Sequence, residues 1–321
     1  MELKAICEPI QEDLVKVEDR LKFESRVDYY HLSKLLDYSL KGNGKRIRPA
    51  LTLLSGKFYD YNLDYLLPMA TAVEVMHMAT LVHDDAIDNS SVRWGRPTVH
   101  KLWGEEKAVL LGDYLFAEAG ALTATTQNVR VIKLFASTLK IISTGELNQT
   151  FNAFSLEQSR SQYFHRVAQK TAALFSMAVE SGATLSQAPE ESIQILINYG
   201  YNLGIAFQIV DDILDIVGTE DEMGKPTDSD LAQGILTLPT ILLLEYYPEE
   251  NPVKKLFSNR DEHANIKLAV ELARNSSIIE ECYQVASDYC DKACRNLKLL
   301  PDSVSRQSLV GLANYIIRRN R

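Results

Sequence analysis

Apolar residues recur at spacings of three and four along nearly the whole chain, while the strict alternation of a strand is scarce, so the pattern predicts one helix after another. Leu14, Val17 and Leu21 open the series. Leu66, Met69, Ala70, Val73, Met76, His77 and Thr80 continue it in one long helix. Further helices are predicted over roughly 105–122, 129–147, 156–181, 190–217, 231–246, 278–299 and 303–318. Breakers fall between them: Gly42-Asn43-Gly44, Asn89-Ser90-Ser91, Gly95-Arg96-Pro97, the stretch 218–230, and the stretch from Tyr247-Pro248 to Pro252. None is long or polar enough for a domain linker, and no solenoid period recurs. Residues 1–321 are therefore expected to form a single all-α domain, a bundle of ten or more helices around a deep central cavity.

Two of these helices, over 64–88 and 190–215, are apolar nearly all round, which places them at the centre of the bundle. Each ends in an aspartate cluster of the same spelling, Asp84-Asp85-Ala86-Ile87-Asp88 and Asp211-Asp212-Ile213-Leu214-Asp215. Positions four apart share a helix face, so Asp84 with Asp88, and Asp211 with Asp215, make two-pronged oxygen claws. One such cluster alone reads as a solvated face. Both, however, follow apolar runs (Thr80-Leu81-Val82 and Ala206-Phe207-Gln208-Ile209-Val210), where carboxylates are costly unless a cation compensates them. Two claws facing each other form a cage for Mg²⁺ ions and a diphosphate. A polar mouth above an apolar well suits a substrate with an anionic head and a hydrocarbon tail.

The formal charge of −9 disfavours a nucleic-acid surface, which needs basic stripes. It does not oppose an anionic substrate if divalent cations intervene, because those are the largest local charges in such a site. Acidic residues through the first twenty positions argue against a transit peptide, and no apolar run there resembles a signal peptide. No stretch is expected to reach the length of a membrane span, so no stable membrane insertion and a cytoplasmic location are expected. Cys7, Cys282, Cys290 and Cys294 lack further ligands at zinc spacing and are expected to be reduced thiols.

Cations that could balance phosphates occur in short groups with apolar flanks. Gly44-Lys45-Arg46-Ile47-Arg48-Pro49 opens a helix, whose N-terminus itself favours anions. His77 lies two turns before Asp84 on the same helix; on its own it reads equally as a core histidine. Arg93 and Arg96 follow the first cluster, Lys170-Thr171 sits in an amphipathic helix, Gln208 lies one turn before Asp212, and Lys225 follows the second cluster in Gly224-Lys225-Pro226-Thr227.

In this order and spacing, the segment 44–49, Leu81 to Asp88, Lys170-Thr171, Phe207 to Asp215 and Gly224 to Leu231 resemble the trans-isoprenyl diphosphate synthases, the polyprenyl synthetase family. The resemblance covers roughly residues 40–240 and suggests a medium- to long-chain member with a bundle of isoprenoid-synthase type. It implies head-to-tail prenyl transfer: an allylic diphosphate (geranyl, farnesyl or geranylgeranyl) loses diphosphate, isopentenyl diphosphate attacks the cation, and a proton leaves to the departing diphosphate. The cofactor implied is Mg²⁺, three ions held by Asp84, Asp85, Asp88, Asp211, Asp212 and Asp215. By motif position, Lys45, Arg48 and His77 would hold isopentenyl diphosphate. Arg93, Lys170 and Lys225 would clamp the allylic diphosphate, with Thr171 and Gln208 near the reacting carbons. A homodimer is implied as well.

Two positions depart from the family pattern. Trp94 stands where a second arginine follows the first cluster, leaving Arg96 to substitute, and Ile235 stands where many members carry lysine. Small Ala79 and Thr80, one turn before Asp84, leave the well open, with Met76 and Phe135 as its floor, so the product is expected to have twenty carbons or more. Two other readings use the same features: a non-catalytic, product-tuning subunit of a heteromeric synthase, and a terpene-type ionising enzyme. Intact aspartate clusters speak against the first, and the set Lys45, Arg48 and His77 has no purpose in the second.

Overall fold

The computed structural model describes residues 2–40, 44–218, 229–260 and 264–319. The helices are α1 (Leu3–Ile6), α2 (Gln11–Glu24), α3 (Tyr30–Leu40), α4 (Ile47–Gly56), α5 (Leu63–Ile87), α6 (Val99–Trp103), α7 (Glu105–Thr125), α8 (Val129–Phe151), α9 (Arg160–Val167), α10 (Ala173–Leu185) and α11 (Glu190–Val217). They continue as α12 (Ser229–Ala232), α13 (Leu238–Tyr246), α14 (Pro252–Ser258), α15 (Ala264–Arg274), α16 (Ile278–Cys294) and α17 (Val304–Arg318). Among the described residues the only sheet is a two-residue hairpin, β1 (Val92–Arg93) with β2 (Arg96–Pro97). The chain is all-α.

The 25-residue α5 starts where the Asn62 side chain accepts from the Asp64 amide at 2.9 Å, satisfying an N-terminal donor. Apolar on every side, it can only be central: Leu66, Met69, Val73, Met76 and Ala79 have no exposed surface. It packs against α4, α7 and α10, and α10 in turn packs on α11, which lies against α16 and α17. Burying each of the larger of these side chains contributes about 1.5–3 kcal/mol.

One expectation fails here. The helix Leu63–Ile87 is long and apolar enough by length and composition to cross a membrane, but 67% of its apolar window is buried inside the bundle. Its hydrophobicity serves the core.

The structure also divides the helix expected over 231–246. Gly234 adopts φ +75°, and a Cβ there would meet the Phe154 ring at 2.5 Å. The helix resumes at Leu238, behind Thr237 as its cap and with Pro239 in its first turn. The pattern over 156–181 begins only at Arg160, where Ser159 and Gln162 form a capping box, and it runs through a π-helical turn at Ala168–Ala172 before continuing as α10.

Candidate active site

A cavity of about 830 Å³ opens where α5 and α11 end. On α5 its wall is the stripe Glu74, His77, Leu81, Asp84 and Asp88, with Thr80 beside it; on α11 it is Phe207, Gln208, Asp211 and Leu214. Both stripes follow the three-and-four spacing of one helix face. Lys45 and Arg48 of the α4 entrance, Ile142 and Glu146 of α8, Lys170 and Thr171 of the π-turn, and Leu174 of α10 complete the deeper walls.

The six clustered aspartates divide between two tasks. Asp84, Asp88 and Asp211 line the cavity. Asp85 is buried and accepts from Arg93 Nε at 2.8 Å, which fixes that arginine at the rim. Asp212 is buried between the Tyr163 hydroxyl, donating at 2.6 Å, and Gln208 Nε2, donating at 2.8 Å. Thr171 in turn donates to Gln208 Oε1 at 2.6 Å, so Tyr163, Asp212, Gln208 and Thr171 form one polar chain behind the wall. Asp215 accepts from the Ser229 hydroxyl at 3.0 Å and the Asp230 amide at 3.4 Å, holding the start of α12. The second claw therefore presents one prong to the cavity.

Three carboxylates unforeseen as site residues, Glu74, Glu146 and Asp230, join the cavity wall. Burial pushes Asp88 up to about 6; Lys170 opposes this and the charges of Asp84, Glu146 and Asp230 add to it. Asp212 is pushed up to about 7, by burial first and then by Asp230. Such crowding of acid groups calls for a cation.

Lys170 supplies part of it: its ammonium lies 2.6 Å from Glu146 and 3.8 Å from Asp84. Burial works against its charge, but the carboxylates of Asp84 and Glu146 outweigh burial and hold its pKa above the usual lysine range. The π-turn that carries it is widened by one residue, and π-turns recur at functional sites. Its neighbours leave room for the bulge. A Cβ on Gly145 of α8 would stand 3.0 Å from the Lys170 amide nitrogen, and one on Gly204 of α11 would stand 2.6 Å from Ala172 Cα.

A second group of residues around the cavity is rich in cations. Burial lowers the Arg48 pKa to about 10, its Nε has no hydrogen-bond partner among the described residues, and its guanidinium lies 4.8 Å from the Phe175 ring. Lys45 is lowered too, by burial and by Arg319. His77 sits deep in the wall, where burial and the charges of Arg48, Arg93 and Arg46 push its pKa well below the ordinary value, so it is a neutral ring able to donate a hydrogen bond. Arg319, beyond the end of α17, was not foreseen. It reaches the cavity, bonds to Asp211 and stacks 4.5 Å from Phe207.

Arg96, the candidate substitute at the Trp94 position, does not line the cavity; it is exposed and stacks 4.4 Å over Tyr38. Trp94 itself is on the rim, in a turn where it and Gly95 both have positive φ, the mirror-image type that matches hairpin twist. Of the residues expected to set product length, Thr80 lines the cavity. Ala79, Met76 and Phe135 are buried and do not line it. Lys225 lies outside the described residues.

Among the described residues, no three acidic, histidine or cysteine groups form a ready-made metal cage. The oxygens of Asp84 and Asp88 one turn apart, with Asp211 on the other helix, nonetheless fit Mg²⁺, which keeps several waters and takes further ligands from phosphate.

An all-α bundle whose two central helices carry carboxylates to a shared cavity, facing a wall of cations, defines an isoprenoid-synthase type of enzyme. A family profile described as polyprenyl synthetase matches residues 30–273. The heptaprenyl diphosphate synthase component 2 of Geobacillus stearothermophilus is 36% identical over 320 residues, which is 100% of each chain. A polyprenyl synthase from Caulobacter crescentus CB15, solved in complex with calcium and isoprenyl diphosphate, superimposes with a TM-score of 0.95 at 30% identity, covering 100% of this chain and 98% of that one. A decaprenyl diphosphate synthase from Rhodobacter capsulatus superimposes with a TM-score of 0.92 at 34% identity, covering 100% of both. The chain belongs to the polyprenyl synthetase family. It is a prenyltransferase that joins isopentenyl diphosphate to an allylic diphosphate head to tail and builds a polyprenyl diphosphate, in a family that depends on Mg²⁺.

Proposed function

We propose that the two walls of the cavity divide the two substrates between them. The allylic diphosphate sits on the carboxylate side, where Asp84, Asp88 and Asp211 would hold Mg²⁺ and Lys170 and Arg93, joined by Lys225, would hold the diphosphate oxygens. When bound, Mg²⁺ acts as a Lewis acid that stabilises charge on the leaving diphosphate. Asp85 and Asp212 act one layer back: the first aims Arg93, and the second holds Gln208, whose amide with Thr171 faces the reacting carbons. Asp215 holds the start of α12, through Ser229 and Asp230.

Isopentenyl diphosphate sits against Lys45, Arg48 and His77. The observation that carries the assignment is the separation of charge: Lys170 is already paired with carboxylates, whereas neither Lys45 nor Arg48 has a hydrogen-bonded carboxylate among the described residues. Two diphosphates need both kinds of site, one charged through metal and one through bare cations.

The growing tail enters the apolar well past Thr80 and toward Ala79, Met76 and Phe135. No bulky side chain at residues 79 and 80 blocks that route, which supports a product of twenty carbons or more. The exposed apolar residues Val109 and Leu110 on α7, with Ile132, Ile141 and Leu147 on α8, support a homodimer. Free, largely buried cysteines suit a reducing compartment such as the cytoplasm.

The test is the set of products that homogeneous protein makes with Mg²⁺, isopentenyl diphosphate and each of geranyl, farnesyl and geranylgeranyl diphosphate. Extension of all three primers to linear diphosphates of at least twenty carbons is expected. No extension without a second polypeptide would favour a product-tuning subunit, a reading to which the name component 2 of the Geobacillus relative gives point. Cyclic hydrocarbons would favour a terpene-type enzyme.

A further inference from the structure

Arg46 lies between two residues of the cationic wall but does not share their freedom. Its Nη1 donates to Glu74 at 2.6 Å, its Nη2 to Glu18 at 3.3 Å and to the Leu40 carbonyl at 3.4 Å, and its Nε also bonds to Glu18. One buried guanidinium thus ties α2, the end of α3 and α5 to the residue just before α4. The backbone of Arg46 has φ +49°, the left-handed region that a non-glycine residue adopts only when its surroundings impose it. This bend sends Lys45 and Arg48 into the cavity on either side.

Glu74 is the other half of the device. It stands on the cavity face of α5, three residues before His77, and its charge also acts on Arg48. As a stability feature alone such a buried pair is a weak choice, since apolar residues of similar volume do as well or better. We propose that the Arg46–Glu74 pair, steadied by Glu18, is a positioning device for isopentenyl diphosphate: it sets Lys45, ahead of α4, and Arg48 of α4 at the right span from His77 of α5 to receive one diphosphate. The proposal rests on the assignment of that diphosphate to Lys45, Arg48 and His77. Loss of the charge on Glu74 removes one anchor of the Arg46 guanidinium and lets Lys45, Arg46 and Arg48 repel one another.

Steady-state kinetics of the full-length enzyme with Mg²⁺, farnesyl diphosphate and isopentenyl diphosphate test it, using Glu74→Gln, Arg46→Lys and, as a reference, Arg48→Met. Glu74→Gln keeps the shape and removes the charge; Arg46→Lys keeps the charge and removes the fork. The expected result is a KM for isopentenyl diphosphate raised about tenfold in Glu74→Gln and less in Arg46→Lys, with KM for farnesyl diphosphate within about twofold of the parent. A merely structural pair would move both KM values together or neither, and either result in a folded variant overturns the proposal. Should Glu74→Gln fail to fold, Arg46→Lys decides by the same criterion. If Arg48→Met leaves KM for isopentenyl diphosphate unchanged, the assignment of the diphosphate falls, and the positioning role falls with it.

Discussion

At the scale of residues, the spacing Asp-Asp-x-x-Asp says which carboxylates share a face but not which face meets the cavity. Both middle aspartates, Asp85 and Asp212, turn out to hold other side chains, because each sits about 100° round the helix from its cavity-facing neighbour. Glu146, Tyr163 and Arg319 were illegible for a different reason: their partners are far away in sequence, and no local pattern marks them. Tyr163→Phe leaves the Asp212 carboxylate short of a donor in a buried place; a loss of about 1.5–3 kcal/mol is expected, read from urea unfolding. The titration of Asp212 gives a second check. Its folded pKa, about 7, stands above the unfolded value near 4, so the stability it contributes is fully present below about pH 4 and is lost as pH rises through 7. In metal-free protein, Asp212→Asn should therefore gain thermal stability relative to the parent as pH is raised from about 5 to about 8. A gap in melting temperature that stays constant over that range would contradict this.

At the scale of elements, the apolar runs that end in Asp88 and Asp215 fixed the position of α5 and α11 to within a residue or two, because a helix buried on every side has a strong and unbroken pattern. The break at Gly234 and the π-turn at Ala168–Ala172 were hidden, since both depend on contacts with other elements: Phe154 in one case, α8 and α11 in the other. That dependence can be tested. Gly204→Ala places a Cβ 2.6 Å from Ala172 Cα, so α11 and the π-turn must separate. Overpacking of this kind costs about 1–3 kcal/mol, and because Lys170 rides on that turn, turnover should fall by more than the loss of folded protein explains. Denaturant unfolding and kcat measured on the same preparation check both halves.

At the scale of the whole molecule, the cavity mixes charged groups with the apolar side chains of Leu81, Ile142, Leu174, Phe207 and Leu214, and on the proposed function the length of the product follows from how far the tail can travel. Thr80 is the expected gate because it is the one of the four candidate residues that lines the cavity. Thr80→Phe should shorten the products, read by chromatographic separation of the chain lengths; an unchanged distribution would place the well elsewhere. The exposed apolar faces of α7 and α8 make a further prediction, that the protein sediments as a dimer at micromolar concentration and that Leu110→Glu shifts it toward monomer. The central claim is that Asp84 on one helix and Asp211 on the other serve the same ionising event. It is tested most directly by the rate of isopentenyl diphosphate incorporation across a Mg²⁺ titration, measured for the parent, Asp84→Ala and Asp211→Ala with helicity followed by circular dichroism. The account predicts incorporation by the parent only when Mg²⁺ is present, and a loss of about a thousandfold in each variant at unchanged helicity. Either variant retaining a rate within about tenfold of the parent would contradict it.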